Sequence, residues 1–254
     1  MGITLDPNSP ILGSDLRGRF QPFDWEENSD RISISDVSSP SCVGIIDIID
    51  STRITARLNK HQMSKFYCHF INWANAVVRG YGGIVVKNTG DGLLFYFPLA
   101  EDSVDTRRIE DCLNCSIALC MLHPNINSKF RSESLPPLNY RISLDYGEVS
   151  FANTKETLMA DIFSVTVNVC AKINIMAEPN SVVIGGDMYQ VAKSLGGYSF
   201  KEVKKSISIA NRLYPVYSVN ESRTVLQYLR SIRHPHPPTN QSELNNGLKE
   251  VKLA

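Results

Sequence analysis

The sequence lacks an excess of charge of either sign: its 254 residues carry 26 lysines and arginines against 26 aspartates and glutamates. A surface that binds a polyanion needs clustered positive charge, so nucleic acid is not expected as a partner. Long apolar runs are also missing. No run approaches the ~20 residues that a membrane helix needs, and no charged-then-apolar signal segment opens the chain. The sequence therefore predicts a soluble, cytoplasmic protein with no membrane partner.

Patterns typical of zinc or disulfide frameworks are missing as well. Cys112 and Cys115 have CxxC spacing, but they fall in a helical pattern and no second ligand pair accompanies them. We therefore predict that all six cysteines are reduced thiols of the core. None of the five histidines has HExxH-type spacing, and His234 and His236 lie in a proline-rich segment.

Residues 83–97 predict a strand, a tight turn and a second strand. Two apolar runs rich in β-branched and aromatic residues flank residues 88–92, Asn-Thr-Gly-Asp-Gly, whose glycines permit the positive φ that a hairpin turn can need. Asp91 lies at the tip of this turn, and Lys87 precedes it by four residues. An Asp-Gly turn alone is typical of an ordinary solvated hairpin, so the interpretation depends on a second strand upstream.

That upstream strand contains another carboxylate. Asp47 lies inside residues 43–49, which otherwise form an apolar run. A buried carboxylate without a partner is unfavourable by several kcal/mol, so it usually pairs with a charge or a metal. If neighbouring strands bring Asp47 and Asp91 together, their oxygens suit Mg²⁺ or Mn²⁺.

The chain taken in order predicts an α+β fold. The elements follow as βαββαβ with extra strands and helices, which is the order of a ferredoxin-like split βαβ sheet with helices on one face. In this topology the end of the first strand adjoins the hairpin tip. We predict one long helix from Ser51 to about Arg79 and a loop over residues 123–137. Residues 39–220 form the domain, between an N-terminal arm (1–38) and a C-terminal tail (221–254).

Three motifs in this order resemble those of the class III nucleotidyl cyclases, the adenylyl and guanylyl cyclase catalytic domains. Residues 47–52, Asp-Ile-Ile-Asp-Ser-Thr, are similar to the family's Asp-Ile-x-Gly-Ser/Phe-Thr, with Asp50 where glycine is usual. Residues 86–91 are similar to its Lys-x-x-Gly-Asp. Residues 161–172 resemble Asp-Ile-x-Gly-x-Thr-Val-Asn-x-Ala-x-Arg, with Lys172 in place of the arginine. The resemblance covers about residues 40–220.

The resemblance implies a reaction and a metal site. Asp47 and Asp91 would bind two divalent ions, Mg²⁺ or Mn²⁺, with the Ile48 carbonyl as a further ligand. Cyclisation of a nucleoside triphosphate needs the ribose 3′-oxygen deprotonated and aimed at the α-phosphorus, which such ions promote without a protein nucleophile. The amides that would hold phosphate oxygens, at the start of the following helix, belong to Ile49, Asp50, Ser51 and Thr52.

The resemblance also implies how the base and the ribose are bound. Lys87 would donate to adenine N1 and Asp161 would accept from the 6-amino group, whereas guanylyl cyclases carry glutamate and a small residue there, so ATP is favoured. The alternative is a surface ion pair worth under ~1 kcal/mol. Asn168 would orient the ribose ring oxygen. Lys172 would face the α-phosphate with the charge of arginine but without its bidentate fork, which predicts reduced activity.

One expected cation cannot be placed from the sequence. The family's lysine for the γ-phosphate stands in a Leu-Lys-Gly pattern before the last strand, and this pattern is missing here. The candidates to replace it are Lys201, Lys204, Lys205 and Arg212.

Sites of this family form across a dimer, so a homodimer of this chain would have two equivalent sites. The leading hypothesis is a homodimeric adenylyl cyclase that makes cyclic AMP from ATP. Two alternatives stay open: a cyclase that uses GTP or a pyrimidine triphosphate, and a non-catalytic cyclase-homology module that binds nucleotide or dimerises. Lys172, Asp50 and the missing pattern favour the module, whereas the metal acids and Asn168 favour the enzyme.

Overall fold

A computed structural model describes residues 33–99, 106–153, 161–204, 207–209 and 211–221. Its strands are β1 (Ser33–Ile48), β2 (Ile84–Asn88), β3 (Gly92–Pro98), β4 (Tyr140–Asn153), β5 (Asp161–Phe163), β6 (Val182–Gly185), β7 (Tyr198–Glu202), β8 (Ile207–Ile209), β9 (Arg212–Tyr214) and β10 (Val216–Glu221). Its helices are α1 (Ser51–Thr55), α2 (Lys60–Gly80), α3 (Thr106–Met121), α4 (His123–Ser132), α5 (Val165–Asn174) and α6 (Gly186–Ala192).

The two terminal segments predicted from the sequence lie largely outside the described residues. β1 begins at Ser33, inside the segment predicted as an arm, and β10 ends at Glu221, where the tail was predicted to begin. Of the helices in the described ranges, none combines the length and the apolar character that a bilayer-spanning segment requires.

The main sheet has the strand order β2-β3-β1-β4-β6-β10-β7, and β5 pairs with β4. β1 is antiparallel to β3 on one side and to β4 on the other, and β4 pairs in parallel with β6. The α+β fold and the position of the first strand beside the hairpin are thereby confirmed. The separate two-stranded sheet of β8 and β9 was not predicted.

Helices cover both faces of the sheet, so the prediction that they share one face is wrong for α5. Along β1, Cys42 and Ile46 belong to the large apolar cluster that includes residues of α2, α3, α4 and α6. Val43 and Ile45 point the other way and pack with Cys170 and other residues of a second cluster, part of which comes from α5. Since side chains alternate along a strand, an apolar run on both faces needs cover on both.

The long helix predicted after the first strand is two helices. α1 ends at Thr55, and α2 begins after Asn59, whose side-chain oxygen accepts from the Gln62 amide at 2.9 Å. The Gln62 side chain in turn accepts from the Asn59 amide at 3.2 Å. This reciprocal capping box fixes a new helix start, so the chain between Ser51 and Asn59 makes only one short helix.

The loop predicted over residues 123–137 contains a helix, α4. Pro124 lies in its first turn, where a missing amide hydrogen is harmless. Ile126 and Phe130 are buried one turn apart, and Phe130 packs on Phe66 of α2 with a ring-centroid distance of 5.0 Å. Only two buried apolar residues stand among the proline and polar residues of this segment, so the sequence favoured a loop.

All six cysteines are free thiols, and five of them are at least partly buried. The prediction that all six belong to the core is wrong for Cys68, which is exposed on α2.

A buried carboxylate ties β4 to the C-terminal part of the domain. Asp145 is 1% exposed and accepts hydrogen bonds from the Tyr214 hydroxyl at 2.9 Å, from the Tyr146 amide at 3.0 Å and from the Met188 amide at 3.3 Å. Burial nevertheless raises the pKa of Asp145 to about 7, because these donors do not fully replace water around the charge.

Replacing Asp145 by asparagine should remove a pH-dependent loss of stability. The folded pKa of about 7 lies above the ordinary value of 3.8, so the folded chain keeps a proton that the unfolded chain has released between these values. The contribution of Asp145 to the free energy of unfolding therefore falls as the pH rises through this window, and it is constant above the window. We expect the unfolding free energy of Asp145→Asn to rise relative to wild type by roughly 1.4 kcal/mol per pH unit between about pH 5 and about pH 7.

Urea unfolding at several pH values measures this difference. Glu178→Gln, which neutralises an exposed acid, is the control and should follow the wild-type pH dependence. An Asp145→Asn curve parallel to wild type across the window would contradict the prediction.

Candidate active site

Two carboxylates meet where the end of β1 adjoins the tip of the β2–β3 hairpin. Asp47 lies opposite Gly92 in the β1–β3 register, and the Ile48 amide donates to the Asp91 carbonyl at 3.2 Å. In addition to burial, the charge of Asp91 and a hydrogen bond with it raise the pKa of Asp47, so the two side chains are close enough to interact. The juxtaposition expected from the topology is therefore present in the structure.

The environment of Asp47 favours its protonated form. Its pKa is raised to about 6, chiefly by burial and further by the charge of Asp91 and the hydrogen bond with it. Arg141, which lies directly opposite Asp47 on β4, acts in the other direction. Two carboxylates that repel each other in a partly buried position bind a cation favourably, since the cation removes the repulsion.

The donor set fits Mg²⁺ or Mn²⁺. Both ions prefer oxygen ligands, and Mg²⁺ in proteins commonly takes one or two carboxylates and completes its shell with water and substrate phosphates. Within the described ranges, no group of three or more His, Cys, Asp or Glu side chains could hold a metal ion by itself. An ion at Asp47 and Asp91 would therefore complete its coordination shell with water or with substrate phosphates.

The turn after β1 differs in two ways from its predicted role as a phosphate cradle. The Ile49 amide, predicted as a phosphate donor, donates to the Asn139 carbonyl at 2.8 Å and is thus engaged within the protein. Asp50 has φ of 56°, a left-handed conformation in which glycine is the easiest residue and aspartate is tolerated. Its carboxylate pairs with Arg53 at 2.9 Å, so the extra negative charge has a neighbouring cation.

Lys87 and Asp161 come together from β2 and β5. The lysine Nζ lies 2.5 Å from Oδ2 of Asp161, and the two side chains are 47% and 36% exposed. The pair is therefore preformed and still accessible to a ligand.

The two remaining predicted residues lie apart from the carboxylate pair, on the exposed side of α5. Ser164 caps this helix by accepting from the Val167 amide at 3.0 Å. Asn168 and Lys172 are exposed one turn apart. Among the residues that the structure describes, neither side chain forms a hydrogen bond or ion pair, so a single chain does not join them to Asp47 and Asp91.

Sequence reasoning missed two groups beside the carboxylates. Arg141 was not among the predicted site residues, because the register that places it opposite Asp47 is not readable from local sequence. Ser51 was assigned only through its amide, but its hydroxyl lies 2.5 Å from Oδ2 of Asp91.

Three of the cations considered for the γ-phosphate, Lys201, Lys204 and Arg212, fall in the described residues and lie on or beside strands other than β1 and the hairpin. Lys201 is on β7, at the far edge of the sheet from the hairpin, and Lys204 follows that strand. Arg212 begins β9, whereas Lys205 lies outside the described residues.

Comparison with known proteins gives a consistent assignment. The model of the adenylate and guanylate cyclase catalytic domain matches residues 36–217. In sequence, the chain is similar to an adenylate cyclase of Streptomyces coelicolor, 26% identical over 142 residues that make up 56% of this chain and 31% of that protein. It is also similar to a cytidylate cyclase of Staphylococcus aureus, 24% identical over 149 residues that make up 57% of this chain and 35% of that protein. The matched region spans about a third of the length of both relatives.

Among solved structures, the chain is similar to the adenylyl cyclase CyaB from P. aeruginosa. The TM-score is 0.66 at 18% identity, over 74% of this chain and 96% of that one. At this identity the likeness concerns the fold.

Proposed function

Since the chain belongs to the adenylate and guanylate cyclase catalytic domain family, we propose that it is an adenylyl cyclase that converts ATP to 3′,5′-cyclic AMP and pyrophosphate. The observation that carries this proposal is the carboxylate pair, Asp47 and Asp91, where β1 adjoins the hairpin tip. Both acids lie at the position of the family motifs that the sequence resembles.

Asp47 and Asp91 would hold two divalent ions, with the Ile48 carbonyl as a further ligand. When bound, such ions supply Lewis acidity toward the ribose 3′-hydroxyl and neutralise charge on the triphosphate and the departing pyrophosphate. The protein itself needs no nucleophile, because the 3′-oxygen attacks the α-phosphorus and the bond to pyrophosphate breaks. By holding the ions, the two carboxylates would fix the position of the triphosphate.

The phosphates would be held by backbone and by positive charge. The amides of Asp50, Ser51 and Thr52, at the start of α1, are the remaining candidates of the predicted cradle. Arg141 lies opposite Asp47, and its charge acts on that carboxylate. We assign Arg141 as a cation facing the triphosphate, in preference to Lys201 or Arg212, because it shares the carboxylate end of β1.

Adenine would be bound by Lys87 and Asp161. The lysine donates to ring N1 and the aspartate accepts from the 6-amino group, whereas guanine presents the opposite pattern at that edge. The side-chain pairing at 2.5 Å supports this assignment, since it holds a donor and an acceptor side by side at an accessible position. The likeness to a cytidylate cyclase keeps a pyrimidine triphosphate as the alternative substrate.

A homodimer would bring the two halves of the site together. Asn168 would orient the ribose and Lys172 would stabilise the α-phosphate, facing the carboxylates of the other subunit. On the same helix, Val165 is 70% exposed, and Ile175, just after its end, is 74% exposed. These exposed apolar side chains lie before and after Asn168 and Lys172, and a second copy of the chain would bury them at the dimer interface.

The competing hypothesis is a module that binds nucleotide without turning it over. Lys172 lacks the bidentate geometry of arginine, and Asp50 adds negative charge beside the phosphates. The argument from Asp50 is the weaker of the two, because the Arg53 guanidinium lies 2.9 Å from the Asp50 carboxylate and offsets its charge. Turnover decides between the two functions.

The purified chain should form cyclic AMP from ATP in the presence of Mn²⁺ or Mg²⁺, and Asp47→Ala should lose this activity. The reason is that the variant retains only one of the two metal carboxylates. The measurement is turnover of ATP, GTP, CTP and UTP offered separately, with products identified by mass. Cyclisation of another base would contradict the adenine assignment, and no product from a folded dimer that still binds nucleotide would favour the module.

Lys87→Glu should lower the use of ATP and raise that of GTP. A glutamate accepts where the lysine donates, and each charge-assisted hydrogen bond lost is worth about 1.5–3 kcal/mol, or about 10- to 100-fold in kcat/KM. Lys65→Glu on α2, which reverses a charge on another element, is the matched control. Unchanged preference between ATP and GTP would exclude Lys87 from the base pocket.

Mixing two inactive variants, Asp91→Ala and Asn168→Ala, should restore activity. In a mixed dimer one of the two sites has both an intact carboxylate pair and an intact asparagine, so random exchange gives about a quarter of wild-type activity. Each variant alone is the control. Dimers that exchange subunits yet recover no activity would contradict a shared site.

A further inference from the structure

The Ser51 side chain links the start of α1 to the tip of the β2–β3 hairpin. Its hydroxyl donates to Oδ2 of Asp91 at 2.5 Å, a short distance that is typical of an O–H group bound to a carboxylate. Ser51 is only 6% exposed, whereas Asp91 is partly exposed, so the hydrogen bond is shielded from water on the serine side. The contact joins residues that are forty positions apart in the chain.

The donor is held by its own backbone. The Ser51 carbonyl accepts from the Thr55 hydroxyl at 2.8 Å, and the Ile54 amide donates to the Asp50 carbonyl at 3.0 Å. These bonds fix the short helix that carries the hydroxyl. The serine therefore offers its hydrogen from a defined position.

The acceptor is held through its backbone as well. The Asp91 carbonyl accepts from the Ile48 amide at 3.2 Å, and the turn is closed by the Thr89 amide, which donates to the Gly92 carbonyl at 2.9 Å. Since the main chain at Asp91 is fixed, the orientation of its carboxylate depends on side-chain contacts. Ser51 engages one of its two oxygens and thereby fixes the direction of the other.

We propose that the Ser51 hydroxyl is a positioning group that orients the Asp91 carboxylate for a divalent ion, an inference that rests on the proposed function. It differs from the role that the family resemblance gives this residue, which concerns the backbone amide. Without the hydroxyl, the Asp91 carboxylate loses the contact that fixes its orientation. Hydrogen-bond partners of metal ligands are commonly worth about 10- to 100-fold in metal affinity.

Binding of Mn²⁺ to the full-length chain without nucleotide tests this role directly, with free Mn²⁺ measured by electron paramagnetic resonance. Ser51→Ala removes the hydroxyl, and Ser51→Val and Ser51→Thr form a matched pair of equal shape that differ in it. We expect the alanine and valine variants to bind Mn²⁺ about 10- to 100-fold more weakly than wild type, and the threonine variant to keep most of the affinity. Ser132→Ala, which loses an exposed hydroxyl on α4, should bind like wild type.

Thermal unfolding of each variant separates metal affinity from folding. Folded alanine and valine variants that bind Mn²⁺ as tightly as wild type would overturn the positioning role and leave the metal site intact. Equal weakening in the threonine and valine variants would also overturn it, because the effect would then follow shape. If the wild-type chain binds no Mn²⁺, the metal site itself fails, and the role of Ser51 fails with it.

Discussion

The antiparallel pairing of β1 with β3 is the constraint on which the site depends. Because side chains alternate along a strand, a shift of one residue would turn Asp47 to the face that α2 and α3 cover. Two glycines enforce the observed register. A Cβ at Gly44 would lie 2.2 Å from the Phe95 ring, and one at Gly92 would lie 2.4 Å from the Ile46 carbonyl oxygen. The close approach of the two strands thus decides where both carboxylates lie.

This placement makes a negative charge on Asp47 unfavourable. Burial and repulsion by the neighbouring Asp91 raise the pKa of Asp47 to about 6. Arg141 on β4 offsets part of this repulsion with its positive charge. The Ser51 hydroxyl, at the start of α1, donates a hydrogen bond to Asp91. These contacts hold the two carboxylates in position, and a bound divalent ion would neutralise their remaining negative charge.

The sequence predicted the elements that depend on interactions between neighbouring residues. The hairpin follows from its turn residues and the first strand from its apolar run, whereas the juxtaposition of the two acids follows from the order of the elements. The break at Asn59 also had a readable capping signal, which the continuous apolar pattern outweighed. Arg141 could not be found, because its place opposite Asp47 depends on the register of a distant strand. The apolar character of β1 on both faces did indicate cover on both sides of the sheet, but it does not tell which helix lies on which face.

The position of α5 gives the strongest structural argument for a site shared between two chains. Its inner side packs on β1 and β4 through residues such as Cys170, and Asn174 donates to the Ile45 carbonyl at 3.3 Å. The helix is therefore fixed to the sheet on that side. The predicted residues Asn168 and Lys172 lie on its exposed side, with the exposed apolar side chains Val165 and Ile175 near its two ends. This is the surface that the proposed homodimer would cover, and it would join Asn168 and Lys172 of one chain to Asp47 and Asp91 of the other.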